Sequence, residues 1–166
     1  TVLDNVRIAY HQHADYTLAD AVLRTPRYYH RERELTELAQ SFLEVFNLQD
    51  RQDDIASSLP YGEQRRLEIA RALAVEPKLL LLDEPAAGMN PAEVGNLMEL
   101  IHFIRDRFHL TIFLIEHQMR VVMGICEEIT VMDFGEVIAR GTPDEIRNDP
   151  RVIEAYLGRG VVLETR

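Results

Sequence analysis

Two consecutive carboxylates follow a short apolar run near the middle of the chain. Leu79–Leu82 is continuous and apolar, which is typical of a strand buried on both faces of a parallel sheet, and Asp83 and Glu84 come directly after it. Open α/β sheets bind ligands at the carboxyl ends of their strands. An aspartate there can hold Mg²⁺, and the next carboxylate can polarise a water aimed at a phosphoryl group. The alternative is a simple turn that starts a helix after a core strand.

A histidine follows a second apolar run. Thr111–Ile115 predicts another strand, and Glu116 and His117 come after it. Because the carboxyl ends of parallel strands lie at one edge of a sheet, His117 could reach the same ligand as Asp83 and Glu84. An imidazole there can hydrogen-bond a phosphoryl oxygen or orient the water. A lone histidine after a strand is more often a surface residue, but its place after this strand favours the functional interpretation.

A turn that runs directly into a helix is the third candidate. Backbone N–H groups at a helix start attract anions, and a glycine lets a ligand approach them closely. Taken alone, this is a common way to begin a helix. The residues of the turn are Leu59, Pro60, Tyr61, Gly62, Glu63 and Gln64.

The elements around these groups divide the chain into a helical part, residues 1–58, and an α/β part, residues 59–166. From residue 59 on, helices and strands alternate, which predicts an α/β fold with a parallel sheet. In the helical part, the basic and aromatic segment Arg24–Arg31 predicts a solvated loop or a helix start. One helix there ends near Asn47, and its predicted apolar stripe is Leu35, Leu38, Phe42 and Val45. The other predicted elements are helices over 63–75, 91–107, 118–125 and 152–157, strands over 129–132 and 136–139 around a turn at 133–135, and a capping box at 142–145.

Composition excludes several classes of function. The 166 residues carry 28 acidic and 18 basic groups, and the resulting net charge of -10 argues against nucleic-acid binding. No apolar run approaches the roughly 20 residues that span a bilayer. The single cysteine, Cys126, cannot form an internal disulfide, which favours a reducing, cytosolic setting. Lys78 is the only lysine and lies in no GxxxxGK[ST] loop, so these residues contain no P-loop.

In order and spacing, these motifs resemble those of ABC-type ATPases. Leu59–Gln64 resembles the LSGGQ signature, and Leu79–Glu84 resembles the Walker B strand. Ala86–Pro91 resembles the D-loop, and His117 matches the switch histidine. The resemblance implies an α/β, P-loop NTPase-like fold, in which a parallel sheet is joined to a helical subdomain.

A narrower resemblance, which covers essentially the whole chain, is to the ATP-binding subunits of branched-chain amino acid importers. It implies a subunit that binds and hydrolyses ATP to power the import of branched-chain or related amino acids. Urea-type importers and lipopolysaccharide exporters have similar tails and stay as alternatives, as does a pure interaction module. A non-transport ABC ATPase of the DNA-repair type would require heptad arms and a basic face, and neither is present. The segments that carry the resemblance are Tyr61–Arg71, Glu84–Pro91, Leu114–His117 and the tail Gly141–Gly158.

The resemblance also implies partners and a role for each motif. Two ATP-binding subunits pair head to tail, so that the signature of one faces the nucleotide held by the other. Both bind transmembrane permease subunits, peripherally and at the cytoplasmic face of the inner membrane, and no nucleic acid is involved. The implied roles are Mg²⁺ binding for Asp83, catalysis for Glu84 and His117, and ATP binding for Leu59–Gln64, Gly88 and Asn90.

Three departures from the family pattern bear on these roles. Pro60 replaces the signature serine and removes a hydroxyl donor, although the N–H groups of Tyr61 and Gly62 remain. Asn90 stands where many relatives have an aspartate, and it can cap the following helix. The P-loop strand, the aromatic residue that stacks on adenine and the Q-loop glutamine should all precede Thr1. We therefore expect the chain to be a fragment that is inactive alone.

Overall fold

The computed structural model describes residues 1–11 and 14–157. Their fold comprises two compact units, each built from two stretches of the chain. The first unit comprises Thr1–Leu81 and Phe108–Phe113, and the second comprises Leu82–Arg107 and the chain from Leu114 on. The predicted division into a helical part, residues 1–58, and an α/β part from residue 59 on stays a prediction.

Helices make up most of the first unit. Within the described residues they are α1 (Val2–Tyr10), α2 (Leu18–Leu23), α3 (Pro26–Val45) and α4 (Tyr61–Leu73), with 3-10 turns at Gln49–Arg51 and Ala56–Ser58. The helix α1 packs against α3 and α4, and the side chains of Val6, Leu43 and Phe46 are fully buried in this unit. Burial of apolar surface is therefore what holds the helices together.

The helix α3 begins earlier than the sequence pattern indicated, and it buries a different stripe. Thr25 caps the helix through an N–H bond from Tyr28, and Pro26 occupies the first helical position. The segment Arg24–Arg31 is therefore a helix start and not a loop. The predicted stripe was partly wrong, because Leu38 is 46% exposed. The buried side chains of α3 lie on a neighbouring face of the helix, rotated from the predicted stripe, and they are Leu35, Ala39, Phe42 and Leu43.

A two-stranded sheet joins β1 (Leu79–Asp83) to β2 (Thr111–Ile115). Thr111 N donates to Lys78 O over 3.0 Å, and Glu84 N donates to Ile115 O over 2.8 Å. The strands therefore run in the same direction, and the prediction of a parallel sheet is confirmed.

The expectation that β1 is buried on both faces was wrong. Its burial alternates: Leu80 and Leu82 are 4% and 9% exposed, whereas Leu79 and Leu81 are 50% and 66% exposed. Successive side chains of a strand point to opposite faces, and the described chain covers only one face of β1. A continuous apolar run identifies a strand but does not reveal which of its faces is covered.

The second unit contains helices and an antiparallel hairpin. One apolar cluster of this unit is formed by Ile129, Ala139, Ile146 and Val152. The predicted hairpin and the capping box at Thr142 are present. The last helix begins two residues earlier than predicted, and its predicted stop at Gly158 lies outside the described residues. The remaining elements are α5 (Pro91–Phe108, up to Arg107 in this unit), α6 (Met119–Ile125), β3 (Ile129–Asp133), β4 (Glu136–Gly141), α7 (Pro143–Asn148) and α8 (Pro150–Leu157).

The hairpin turn contains a residue that is poorly suited to its backbone. Phe134 and Gly135 have φ angles of 46° and 85°, and Asp133 pairs with Glu136, so the turn is of type I′. Glycine adopts such angles freely, but phenylalanine does not. The ring of Phe134 is 100% exposed and therefore gains no burial in return.

We expect Phe134→Asn to raise the melting temperature by roughly 2–4 °C, because asparagine tolerates the left-handed conformation at this turn position. Thermal denaturation followed by circular dichroism measures the change. Phe134→Ala is the control, since it removes the ring but keeps the unfavourable φ angle. An equal gain for alanine would show that the ring, and not the backbone, causes the destabilisation.

Candidate functional site

The two consecutive carboxylates lie where β1 ends. Asp83 is the last residue of the strand, and Glu84 follows with a φ angle of 44°. A left-handed conformation is unfavourable for glutamate, and it is held here by the bond from Glu84 N to Ile115 O. Both acidic residues are exposed. Their carboxylates are thus accessible to a ligand from solvent.

His117 lies beside Glu84. Its Nδ1 is 3.4 Å from Glu84 Oε1 and 3.9 Å from Glu116 Oε2, and its side chain is 67% exposed. The structure therefore brings together Glu84 and His117, which the sequence analysis placed at one edge of the sheet. A carboxylate and an imidazole at this separation can hold one water between them and a ligand.

A third group in this cluster was not recognised from the sequence. The side chain of Glu116 is 0% exposed, and its carboxylate accepts three backbone N–H groups. Oε1 accepts Ala86 N over 3.0 Å, while Oε2 accepts His117 N and Gln118 N over 3.0 and 3.1 Å. The available signal was the alternation of β2, which puts position 116 on the same side as the partly buried residues Ile112 and Leu114.

The loop between β1 and α5 is ordered by its own backbone. Ala87 N donates to Glu84 O over 3.1 Å, and Met89 N donates to Ala86 O over 3.2 Å. Gly88 has a φ angle of 74°, which a residue with a side chain would adopt only at a cost. Ala86 is fully buried, and its carbonyl accepts the side-chain amide of Gln118 over 3.1 Å. The loop is thereby fixed to the chain that follows β2.

Asn90 caps α5, as its place before Pro91 predicted. Its Oδ1 accepts Ala92 N and Glu93 N over 2.9 and 3.0 Å, and Glu93 Oε2 accepts Asn90 N over 2.9 Å. This reciprocal arrangement is a capping box. A further contact of Asn90 with a nucleotide stays a prediction.

In the first unit, the predicted anion-binding turn leads directly into α4. Pro60 occupies the cap position without a side-chain bond, and Glu63 N and Gln64 N both donate to Pro60 O. Helix geometry leaves the N–H groups of Tyr61 and Gly62 without an acceptor inside the helix. These two N–H groups are therefore the ones that a bound anion could accept.

The polar side chains of this turn make local contacts. Gln64 Nε2 donates to Leu59 O over 2.7 Å, and Glu63 lies 3.6 Å from the guanidinium of Arg51. The hydroxyl of Tyr61 accepts two N–H groups of Arg65, at 3.1 and 2.8 Å. The groups of this turn that are available to a ligand are therefore mainly its backbone N–H groups.

Asp83 is the candidate ligand for Mg²⁺. Across residues 1–11 and 14–157, no three or more His, Cys, Asp or Glu side chains are grouped closely enough to hold a metal ion. Magnesium commonly binds through one or two carboxylates, several waters and the phosphates of a nucleotide. One exposed carboxylate at the end of β1 fits that mode of binding and does not fit a preformed all-protein site.

Comparison with known proteins gives the class to which this fold and these motifs belong. The family model described as ABC transporter matches residues 2–87, just over half of the chain. The chain therefore belongs to the ABC transporter family, as the sequence motifs indicated. A second model, described as branched-chain amino acid ATP-binding cassette transporter, matches residues 136–162.

Curated relatives show which members of the family this chain is similar to. The chain is 47% identical over 158 residues to the high-affinity branched-chain amino acid transport ATP-binding protein LivG of Salmonella typhimurium. It is 44% identical, also over 158 residues, to the corresponding protein BraF of Pseudomonas aeruginosa. These matches cover 95% of this chain and 62% of each relative. The lipopolysaccharide export ATP-binding protein LptB of Escherichia coli is 41% identical over 120 residues, which is 72% of this chain and 49% of LptB.

Solved structures confirm the predicted fold class. A crystal structure of the ADP conformation of an ATP-binding cassette superposes with a TM-score of 0.75 and 27% identity, covering 96% of this chain and 63% of that one. A nucleotide-free cassette gives a TM-score of 0.72 and 30% identity, covering 96% of this chain and 63% of that one.

None of the helices that the structure describes has both the length and the apolar character needed to cross a bilayer.

Proposed function

We propose that this chain is part of an ATP-hydrolysing subunit that powers an importer for branched-chain or related amino acids. The observation that carries the proposal is the pairing of Glu84 with His117 at 3.4 Å, where β1 and β2 both end. The 47% identity to LivG and the match of residues 136–162 to the branched-chain model support this cargo class. Lipopolysaccharide export is the second candidate, and its relative matches a smaller share of the chain.

In this proposal Glu84 acts as the general base for the attacking water. A carboxylate that is half-exposed and lies directly after a strand can hold a water at hydrogen-bond distance. Its left-handed backbone, fixed by Ile115 O, determines where the carboxylate lies. His117 would orient the same water or donate a hydrogen bond to the γ-phosphate.

Asp83 would hold Mg²⁺ in the same site. The ion supplies positive charge that offsets the developing charge on the transferred phosphoryl group. Asp83 itself contributes a single exposed carboxylate at the end of β1, adjacent in sequence to the proposed base. This arrangement assigns the two acidic residues different roles, which substitution can separate.

The start of α4 would bind a nucleotide held by a second subunit. The N–H groups of Tyr61 and Gly62 lie at the positive end of the helix dipole, without a side-chain cap from Pro60. The γ-phosphate of ATP carries the charge that such a site favours. Because the turn donates through its backbone, the proline that replaces the serine of the family signature is compatible with this role.

Permease subunits are the proposed membrane partners, and the chain would act peripherally at the cytoplasmic face of the membrane. In the first unit, Tyr29 is 54% exposed and its ring lies 5.5 Å from the ring of Tyr28. Exposed tyrosines are enriched among residues that contribute most to binding at interfaces. We therefore place the permease contact on the first turns of α3.

Replacing Tyr29 with alanine is expected to lower transport per ATP hydrolysed at least about fivefold, because a residue of this type commonly contributes about 1 kcal/mol or more at an interface. The measurement is uptake and phosphate release in the same proteoliposomes. Phe134→Asn serves as the control, since it removes an exposed aromatic ring from the second unit. Unchanged coupling in the Tyr29 variant would exclude this surface from the permease contact.

The proposed function is tested by transport in cells. Deletion of the gene is expected to abolish energy-dependent uptake of radiolabelled leucine, and a plasmid copy is expected to restore it. A plasmid copy that carries Glu84→Gln should not restore leucine uptake. Normal leucine uptake in the deletion strain, combined with loss of urea uptake or of lipopolysaccharide at the cell surface, would instead support one of the alternative cargoes.

A further inference from the structure

The carboxylate of Glu116 is buried, and within residues 1–11 and 14–157 the imidazole of His117, at 3.9 Å, is its one cationic partner at salt-bridge distance. Burial of such a group is unfavourable unless its oxygens accept hydrogen bonds. Here the bonds come from three backbone N–H groups, and bonds to a charged acceptor are stronger than those between neutral groups. This side chain is therefore held in one place by its surroundings.

The three N–H groups belong to two different loops. Oε1 binds Ala86, in the loop after β1, and Oε2 binds His117 and Gln118, in the segment after β2. The side-chain amide of Gln118 returns to Ala86 O over 3.1 Å, so the two loops are joined by a closed ring of hydrogen bonds. A displacement of Ala86 must then displace the backbone of His117 or break this ring.

We infer that Glu116 is a positioning residue, which holds the His117 imidazole beside Glu84 and couples it to the loop 86–90. The inference rests on the proposed function for its catalytic consequence. Glu116 does not touch the reacting atoms; it acts through the backbone of His117, whose Nδ1 lies 3.4 Å from Glu84 Oε1. Movement of the loop 86–90 when two subunits engage would change the position of the histidine through this side chain.

Glu116→Gln is the most direct variant, because it preserves shape but replaces one acceptor oxygen with an N–H₂ group. In either orientation of the amide, that group faces at least one of the three backbone donors. We expect about tenfold faster amide exchange in peptides that contain Ala86 or that contain His117 and Gln118. In the transporter assembled with its permeases, we expect kcat for ATP hydrolysis to fall about 10-fold or more, with KM for ATP unchanged within about twofold.

A double-mutant cycle distinguishes positioning from a purely structural role. If Glu116 acts through His117, Glu116→Gln should reduce kcat little further in a His117→Ala background. Glu127→Gln is the matched control, since this side chain is 86% exposed and forms a surface ion pair with Arg105. If Glu116→Gln does not fold, Gln118→Ala removes the side-chain bond to Ala86 O and should show the same pattern with smaller effects.

Each outcome decides the inference. Unchanged exchange in these peptides, unchanged kcat, or fully additive effects with His117→Ala would overturn it. Faster exchange together with a kcat loss that disappears in the His117→Ala background would support it. A wild-type transporter without ATPase activity would refute the proposed function instead, and amide exchange would still decide whether Glu116 links the two loops.

Discussion

Replacing Glu84 with glutamine is expected to lower ATP turnover by the assembled transporter at least about 100-fold while ATP still binds. Glutamine keeps the size of the side chain but cannot accept a proton from the attacking water. The half-exposed carboxylate, 3.4 Å from His117 Nδ1, is the group that we propose for this step. Phosphate release at saturating ATP measures turnover, and fluorescent-nucleotide titration measures binding.

Asp83→Asn provides the contrast for that experiment. Loss of a metal-binding carboxylate should raise the Mg²⁺ concentration for half-maximal activity about tenfold, and excess Mg²⁺ should restore much of the turnover. Excess Mg²⁺ should not rescue Glu84→Gln. Near-normal turnover in Glu84→Gln, or rescue of both variants by Mg²⁺, would show that the two roles have been assigned wrongly.

A polypeptide of residues 1–166 alone is expected to show no saturable binding of Mg-ATP at micromolar concentrations. These residues contain no GxxxxGK[ST] loop, and Lys78 is their only lysine. The backbone cradle and lysine of such a loop are the main ligands of the β- and γ-phosphates in P-loop enzymes. The groups at Asp83, Glu84 and His117 contact only the reacting end of the nucleotide in the proposed site.

Isothermal titration calorimetry at 25 °C measures this binding, and circular dichroism verifies that the polypeptide is folded. The control is the ATP-binding subunit purified from its native transporter, titrated under the same conditions. Saturable heat with a micromolar Kd for residues 1–166 would contradict the prediction. It would mean that the phosphates are bound by backbone groups such as those at the start of α4.

Local signals in the sequence were sufficient for much of the fold. The bounds of β2 and the caps at Asn90 and Thr142 were predicted correctly, because each depends on residues that are only a few positions apart in the sequence. The exposure of Leu79 and Leu81 was not predicted, since it depends on which parts of the chain cover the other face of β1.

Some residues of the candidate site could likewise be predicted from local signals, and others could not. Glu84 and His117 could be placed at one edge by the rule that parallel strands end together, and they lie 3.4 Å apart. Glu116 was missed because one of its three donors, Ala86, is 30 residues away along the chain. The alternation of β2 indicates the side on which position 116 lies, but it does not reveal the backbone donors that its carboxylate binds.

The division of the chain into two interleaved units has a consequence for synthesis on the ribosome. The first unit needs Phe108–Phe113, so it cannot be completed until residues 82–107 have also emerged. At roughly 5–20 residues per second, this intervening stretch delays completion by about 1–5 s. Until then β1 has no β2 to pair with, and its apolar side chains are open to other nascent chains or to chaperones. The carboxylates at the end of β1 are therefore synthesised before the strand that completes their geometry.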